Sequence, residues 1–199
     1  MILKQIFKDC RIIGLAGHKN TGKTNNLIYL LNQLKNKEIN VYFYGMNEAT
    51  TEYLLKKGYK EISSIEHLVD KKDCLIILDE FQQLKLNDRR NKDTLNKIID
   101  FVYHNNIYLI LSSPNIREFN SIIGGVIEKW LIKTIYLKDC INGSQLKEVV
   151  NNYKGRYKQL DNIILTKNQL LIINKDYEKI INCKYIKEVD KKKDNKNIF

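Results

Sequence analysis

One short segment limits the fold more than any other. Residues 17–24 read GHKNTGKT and match the phosphate-binding loop pattern GxxxxGK[S/T] at every fixed position. An apolar run, residues 11–16, precedes this loop, and leucines at positions 27, 30, 31 and 34 follow it with helical spacing. Such a loop binds phosphate between a strand and a helix, because backbone N–H groups at the helix N-terminus surround the phosphate oxygens. The segment therefore predicts a strand–loop–helix unit that binds a nucleoside triphosphate.

The loop residues have separate predicted tasks. The residues expected to contact the nucleotide are Gly17, His18, Lys19, Asn20, Thr21, Gly22, Lys23 and Thr24. The glycines leave room for the backbone to curl around phosphate oxygens. Lys23 is expected to reach the β- and γ-phosphates, and the Thr24 hydroxyl is expected to bind Mg²⁺.

The size of the chain bears on how such a site is completed. A chain of 199 residues fits one α/β domain and cannot hold two ATPase lobes. A group required from the far side of the nucleotide would then come from another subunit. We therefore expect a homo-oligomer.

The chain is basic, with 34 Lys and Arg against 23 Asp and Glu and a formal net charge of +11. This charge favours a polyanionic partner such as double-stranded DNA. An AT-rich genome also favours lysine, asparagine and isoleucine, so charge alone does not establish DNA binding.

Cysteine placement and hydropathy indicate the compartment. The four scattered cysteines, Cys10, Cys74, Cys140 and Cys183, indicate neither a zinc site nor a disulfide framework. No apolar run approaches the roughly 20 residues of a membrane span. We expect a cytoplasmic protein, or one associated with a virion during packaging.

Strand-like runs alternate with helical periodicities, which predicts an α/β fold with a mainly parallel sheet covered by helices on both faces. The predicted strands are residues 11–16, 41–44, 74–78, 107–111 and 130–137. The predicted helices begin after the loop and lie near residues 48–57, 63–66, 95–102, 119–126 and 146–153. A β-hairpin is predicted at about 168–182. One P-loop domain would span 1–186, and 187–199 would form a basic, disordered tail.

A second motif follows the strand at 74–78. Asp79 and Glu80 come directly after this strand, at the edge of a parallel sheet where ligands bind. Asp79 can hold Mg²⁺, and Glu80 can accept a proton from the water that attacks the γ-phosphate. An adjacent acidic pair favours a hydrolase over a kinase or a GTPase switch.

Two other nucleotide-binding classes are disfavoured. The segment nearest to the guanine-reading motif, residues 166–169, ends in Gln169 where an Asp is needed, so adenine is the expected base. The partition and nitrogenase-iron type of ATPase has a lysine directly after the first loop glycine, where this chain has His18.

The remaining catalytic groups are less defined by the sequence. Ser113 or Asn115 could sense the γ-phosphate at the end of the strand at 107–111, although a Ser-Pro turn explains these residues equally well. Arg117 is a candidate arginine finger. The other basic candidates are Arg89, Arg90, Lys129 and Lys133.

Together, GHKNTGKT, CLIILDEF and YLILSS resemble the RecA-like ATPases that have an additional strand and a catalytic glutamate, and within them the HerA/FtsK superfamily. The C-terminal pattern is most similar to the small viral genome-packaging ATPases. Many members have glutamine where this chain has Ser113. The resemblance implies a three-layer fold and a ring, usually hexameric, that moves double-stranded DNA with ATP and Mg²⁺.

These observations lead to one main hypothesis and two alternatives. The main hypothesis is an oligomeric, Mg²⁺-dependent ATPase that translocates or packages DNA, encoded by a virus or mobile element. The first alternative is an ATP-binding regulatory switch that acts on a protein partner without DNA. The second is a small-molecule kinase whose lid would be the polar stretch 85–92.

Overall fold

The structure is a computed structural model. It describes residues 7, 10–17, 21–34, 39–84, 89–114, 127, 129–132, 165–166, 168–173 and 178–186. Within these residues, eight strands form one sheet in the order β3-β2-β4-β5-β1-β6-β7-β8. The strands are β1 (Ile12–Ala16), β2 (Asn40–Tyr44), β3 (Lys60–Glu61), β4 (Cys74–Leu78), β5 (Ile107–Ser113), β6 (Lys129–Ile132), β7 (Gln169–Ile173) and β8 (Glu178–Asn182).

The first six strands are parallel, and the last two are antiparallel additions. β5 pairs in parallel with β4 on one side and with β1 on the other. β6 pairs in parallel with β1, whereas β7 runs antiparallel to β6 and β8 runs antiparallel to β7. The predicted hairpin is confirmed by the pairing of Gln169 with Asn182 and of Ile173 with Glu178.

Among the described residues, three α-helices and two 3₁₀ turns connect the parallel strands. The helices are α1 (Lys23–Leu31), α2 (Glu48–Lys56) and α3 (Arg89–Phe101), and the 3₁₀ turns span Ile65–Leu68 and Phe81–Leu84. The Asn47 side chain caps α2 by accepting a hydrogen bond from the Thr50 amide at 2.9 Å. Gly58 follows the end of α2 with a φ of +81°, which favours glycine.

The two faces of the sheet pack against different helices because side chains alternate along each strand. Leu75 and Ile77 of β4 face the layer that contains α1 and α2. Ile76 and Leu78 face the opposite layer, which contains α3 and both 3₁₀ turns. The five residues of β4 are all buried, as expected for a central parallel strand. The predicted three-layer α/β fold is confirmed.

Some predicted boundaries were wrong. The leucine stripe of α1 stops at Leu31, and Leu34 lies beyond the helix in a turn. The helix predicted near 63–66 is a single 3₁₀ turn, Ile65–Leu68, and the Ser64 side chain caps it. β3 has only two residues, too few to produce a periodic signal. β5 continues through Ser113, two residues past its apolar run.

Several predicted segments lie outside the described residues. These are the helices at 119–126 and 146–153, strand residues 133–137, and the tail at 187–199. Within the described part of the chain, no helix has the length and hydropathy needed to cross a membrane. Cys10, Cys74 and Cys183 are buried and form no disulfide with one another.

Candidate nucleotide site

The phosphate loop leads into α1 through a glycine whose backbone conformation other residues rarely adopt. Gly22 has φ 92° and ψ 21°, in the left-handed region, and it directly precedes Lys23, the first residue of α1. The Gly22 carbonyl accepts the Asn26 amide at 3.0 Å, which closes the first helical turn. The first turn of α1 contains no acidic residue. The partial positive charge of the helix N-terminus is therefore not offset by a carboxylate of that turn, as suits phosphate binding.

Lys23 bonds back to the first glycine of this loop. Its side chain is 8% exposed, and its Nζ donates to the Gly17 carbonyl at 2.5 Å. The Gly17 amide in turn donates to the Ser113 carbonyl at 3.3 Å. These contacts attach the start of the loop both to its own lysine and to the end of β5. An ammonium has three donors, so the bond to Gly17 is compatible with further bonds to phosphate oxygens.

Thr24 and Asp79 meet although they are 55 residues apart in the sequence. The Thr24 hydroxyl donates to the Asp79 carboxylate, with 3.4 Å between Oγ1 and Oδ2. Thr24 is in the first turn of α1, and Asp79 follows the last residue of β4. Because β4 and β1 are parallel neighbours of β5, their carboxyl ends lie at the same edge of the sheet.

Asp79 is buried, which changes its acidity. Burial raises the pKa of the Asp79 carboxyl, and the Glu80 carboxylate adds to that rise. The Ser112 hydroxyl, the Lys23 ammonium and the Glu80 amide lower the same pKa without cancelling the effect of burial. The Ser112 contact is weak, because no described residue lies within normal hydrogen-bond geometry of the Ser112 Oγ. The carboxylate is therefore a costly buried charge that a cation would stabilise.

Glu80 follows Asp79 in an unusual backbone conformation. Its φ is +45°, in the left-handed region, and its amide donates to Asp79 Oδ1 at 3.1 Å. The Gln83 side-chain amide donates to the Glu80 carboxylate from the following 3₁₀ turn. Glu80 is only half-buried, whereas Asp79 is 5% exposed. The two adjacent carboxylates thus have different surroundings, which suits different chemical roles.

A hydroxyl oxygen beside a carboxylate fits Mg²⁺, which prefers oxygen ligands and usually keeps several waters beside one or two protein groups. The described residues contain no cluster of three or more His, Cys, Asp or Glu that could hold a metal alone. A cation at Thr24 and Asp79 would therefore need further oxygens from a phosphate and from water.

The other predicted site residues have mixed outcomes. Ser113 is fully buried in β5, and its carbonyl holds the Gly17 amide. Arg89 and Arg90 lie at the start of α3 with highly exposed side chains, at 3.8 Å from Asp93 and 3.3 Å from Glu66, respectively. Lys129 begins β6. The predicted residues outside the described part of the chain are His18, Lys19, Asn20, Asn115, Arg117 and Lys133.

Two residues of this region were missed by the sequence argument. Ser112 is the serine beside Asp79; it and Ser113 are successive residues of a strand and so point to opposite faces. The second is Gly45, with a φ of +80°, where a Cβ would lie 2.2 Å from the Asp79 carbonyl oxygen. A glycine directly after a predicted strand was the available signal, but the sequence does not reveal its neighbour.

Comparisons with known proteins show what this fold is similar to. No family model matches the chain. An uncharacterized protein, V3, of Sputnik virophage is 29% identical over 177 residues, which cover 83% of this chain and 71% of V3. The DNA-packaging ATPase B204 of Sulfolobus turreted icosahedral virus has a similar structure, with a TM-score of 0.60 and 15% identity over 88% of this chain and 98% of B204.

Two structures with a bound ATP analogue are also similar. B204 of Sulfolobus turreted icosahedral virus 2, in complex with ATPγS, matches with a TM-score of 0.59 and 16% identity over 88% of this chain and 98% of B204. The pCW3 conjugation coupling protein TcpA, with ATPγS, matches with a TM-score of 0.60 and 14% identity over 88% of this chain and 60% of TcpA. The chain therefore shares the fold of these proteins, and this fold agrees with the α/β architecture that the motifs predict.

Proposed function

We propose that the chain is a Mg²⁺-dependent ATPase whose hydrolysis drives DNA translocation or genome packaging by an oligomeric ring. The observation that carries the ATPase part is the contact between Thr24 and Asp79 at 3.4 Å. It joins the phosphate loop to the acidic pair at one edge of the sheet. Neither motif alone distinguishes hydrolysis from simple nucleotide binding.

Each residue of the site has a proposed task. Residues 17–24 bind the phosphates through backbone amides, and Lys23 donates to the β- and γ-phosphate oxygens. Thr24 and Asp79 would hold Mg²⁺, which would neutralise phosphate charge. Glu80 accepts the proton of the attacking water, and the Gln83 side-chain amide holds the Glu80 carboxylate by a hydrogen bond.

The completing groups remain proposals of their own. Ser113 would act as the γ-phosphate sensor, since it is at the end of β5 and its carbonyl contacts the phosphate loop. Ser112 is a competing candidate because it is the serine beside Asp79. Arg117 would serve a neighbouring subunit as an arginine finger.

DNA translocation is supported by two observations. The net charge of +11 suits a polyanion. B204 is a DNA-packaging ATPase, and TcpA is a conjugation coupling protein. The V3 match is consistent with a viral or mobile-element origin.

The test is ATP turnover with and without double-stranded DNA, together with the mass of the protein in solution. We expect DNA to raise turnover and added salt to reduce that effect, because phosphate contacts weaken as salt rises. Glu80→Gln should reduce kcat by a factor of about 10² to 10⁴ while nucleotide still binds. The matched control is Glu52→Gln, since Glu52 is an exposed glutamate paired with Lys56 on α2.

The outcomes separate the parts of the proposal. A monomer whose turnover is unaffected by DNA would contradict translocation. Equal turnover in Glu80→Gln and Glu52→Gln would contradict the catalytic role of Glu80. A Glu80→Gln protein that binds ATP and keeps binding a protein partner, with no DNA effect, would support a regulatory switch instead.

A further inference from the structure

The helix that follows the phosphate loop is bonded to the C-terminal strands by two consecutive asparagines. Asn25 is next to Thr24 in the first turn of α1. Its Nδ2 donates to the Ile186 carbonyl at 3.0 Å, and its Oδ1 accepts the Ile186 amide at 3.3 Å. Asn26 Nδ2 donates to the Gln169 carbonyl, at the start of β7, at 3.3 Å.

These contacts are specific in a way that ordinary surface contacts are not. The Asn25 amide pairs with both backbone groups of one residue, as a neighbouring strand would, and only one orientation of the amide allows this. Asn26 is 1% exposed, so its side-chain amide is a buried polar group that this bond satisfies. The Asn25 bonds join residues that are 161 positions apart in the sequence, and the Asn26 bond joins residues that are 143 positions apart.

Apolar packing surrounds the same junction. Leu27 and Ile28 of α1 share one hydrophobic cluster with Leu170, Ile172 and Ile181 of the antiparallel strands. Ile186 packs against that cluster from its edge. The start of α1 and the C-terminal strands are therefore one packed unit, and a shift of one requires a shift of the other.

We propose that Asn25 is a positioning residue that couples nucleotide binding at the phosphate loop to the order of residues 183–186. The proposal rests on the proposed function only in that nucleotide binds at residues 17–24. Phosphate held by the first turn of α1 restrains Asn25, which then restrains the backbone of Ile186. By linkage, the factor by which nucleotide stabilises this contact equals the factor by which the contact tightens nucleotide binding.

The experiment is hydrogen–deuterium exchange of the full chain with and without Mg²⁺ and AMPPNP, followed in peptides that cover residues 183–186. We expect nucleotide to slow exchange there in the wild type. Asn25→Ala should abolish most of that protection and raise the Kd for AMPPNP about three- to tenfold, the effect of one or two lost hydrogen bonds. Asn25→Asp keeps the acceptor for the Ile186 amide but not the donor. Exchange of residues 183–186 in this variant without nucleotide should therefore lie between that of the wild type and that of Asn25→Ala.

Asn32→Ala is the matched control. Asn32 caps the other end of α1 and forms a comparable reciprocal pair with the Tyr53 hydroxyl, at 2.8 and 3.1 Å. This variant should keep the nucleotide-dependent protection of 183–186. If the wild type binds AMPPNP but shows no protection there, or if Asn25→Ala keeps it, the coupling is overturned while the proposed function stands. If the wild type binds no nucleotide, both are overturned.

Discussion

Replacement of Gly45 by alanine should displace the Asp79 backbone. A Cβ at position 45 would lie 2.2 Å from the Asp79 carbonyl oxygen and 3.1 Å from its carbonyl carbon. Carbon and carbonyl oxygen normally approach no closer than about 3.3 Å, so one of them must move by roughly 1 Å. The opposing atoms belong to the backbone after β4, where the Asp79 amide donates to the Tyr44 carbonyl at 2.9 Å. They cannot move as the end of a flexible side chain would.

Two costs add in Gly45→Ala. The φ of +80° costs an alanine about 1–2 kcal/mol. The forced backbone shift costs a further 1–3 kcal/mol or so, as overpacking does elsewhere. Gly58→Ala separates the two, because Gly58 has nearly the same φ, +81°, and nothing within 4 Å of its Cβ position. We therefore expect Gly58→Ala to have only the first cost.

Equilibrium denaturation and ATP turnover measure both consequences. Gly45→Ala should reduce the free energy of unfolding by about 1–3 kcal/mol more than Gly58→Ala does. Its kcat should fall by about 10²-fold, since an error of 1 Å in a catalytic group has that effect, while the Kd for nucleotide changes little. Gly58→Ala should keep wild-type kcat. Equal stability losses in the two variants, or wild-type kcat in Gly45→Ala, would refute this reasoning.

Two further predictions follow from buried ionisable groups. Because burial raises the folded-state pKa of Asp79, the metal-free protein should lose stability as pH rises from the unfolded-state pKa toward the folded-state pKa. Asp79→Asn should therefore have a higher Tm than the wild type at pH 7 in the absence of Mg²⁺ and nucleotide. A lower Tm would contradict the cost of that buried charge. Burial raises the pKa of the Cys74 thiol to about 11, so iodoacetamide at pH 8 should label Cys74 only after unfolding. Mass spectrometry of a Cys140→Ser variant checks this, and rapid labelling of the native protein would count against it.

The two motifs of the candidate site could be recognised in the sequence because each consists of consecutive residues. The phosphate loop needs glycines, a lysine and a threonine at fixed spacing, and residues 17–24 have them. The buried strand at 74–78 and the acidic pair after it are equally local, and the strand matches β4 to the residue. The strand predicted at 107–111 is also present, as the first five residues of β5.

The tertiary structure decided which distant residues meet. Which of Ser112 and Ser113 faces Asp79 depends on the register of β5, since a shift of one residue exchanges the two faces of a strand. The contact of Gly45 with the Asp79 carbonyl depends on the pairing of β2 with β4. The bonds of Asn25 to Ile186 join residues that are 161 positions apart in the sequence, and no sequence pattern around an asparagine reveals such a partner.

The sequence by itself thus determined the residue pattern of the loop and the identity of most strands, because short-range spacing and side-chain period carry that information. Only the tertiary structure decided how the acidic pair, the phosphate loop and the C-terminal strands support one another. Those contacts arise from strand order and packing, which place side chains together regardless of their distance along the chain.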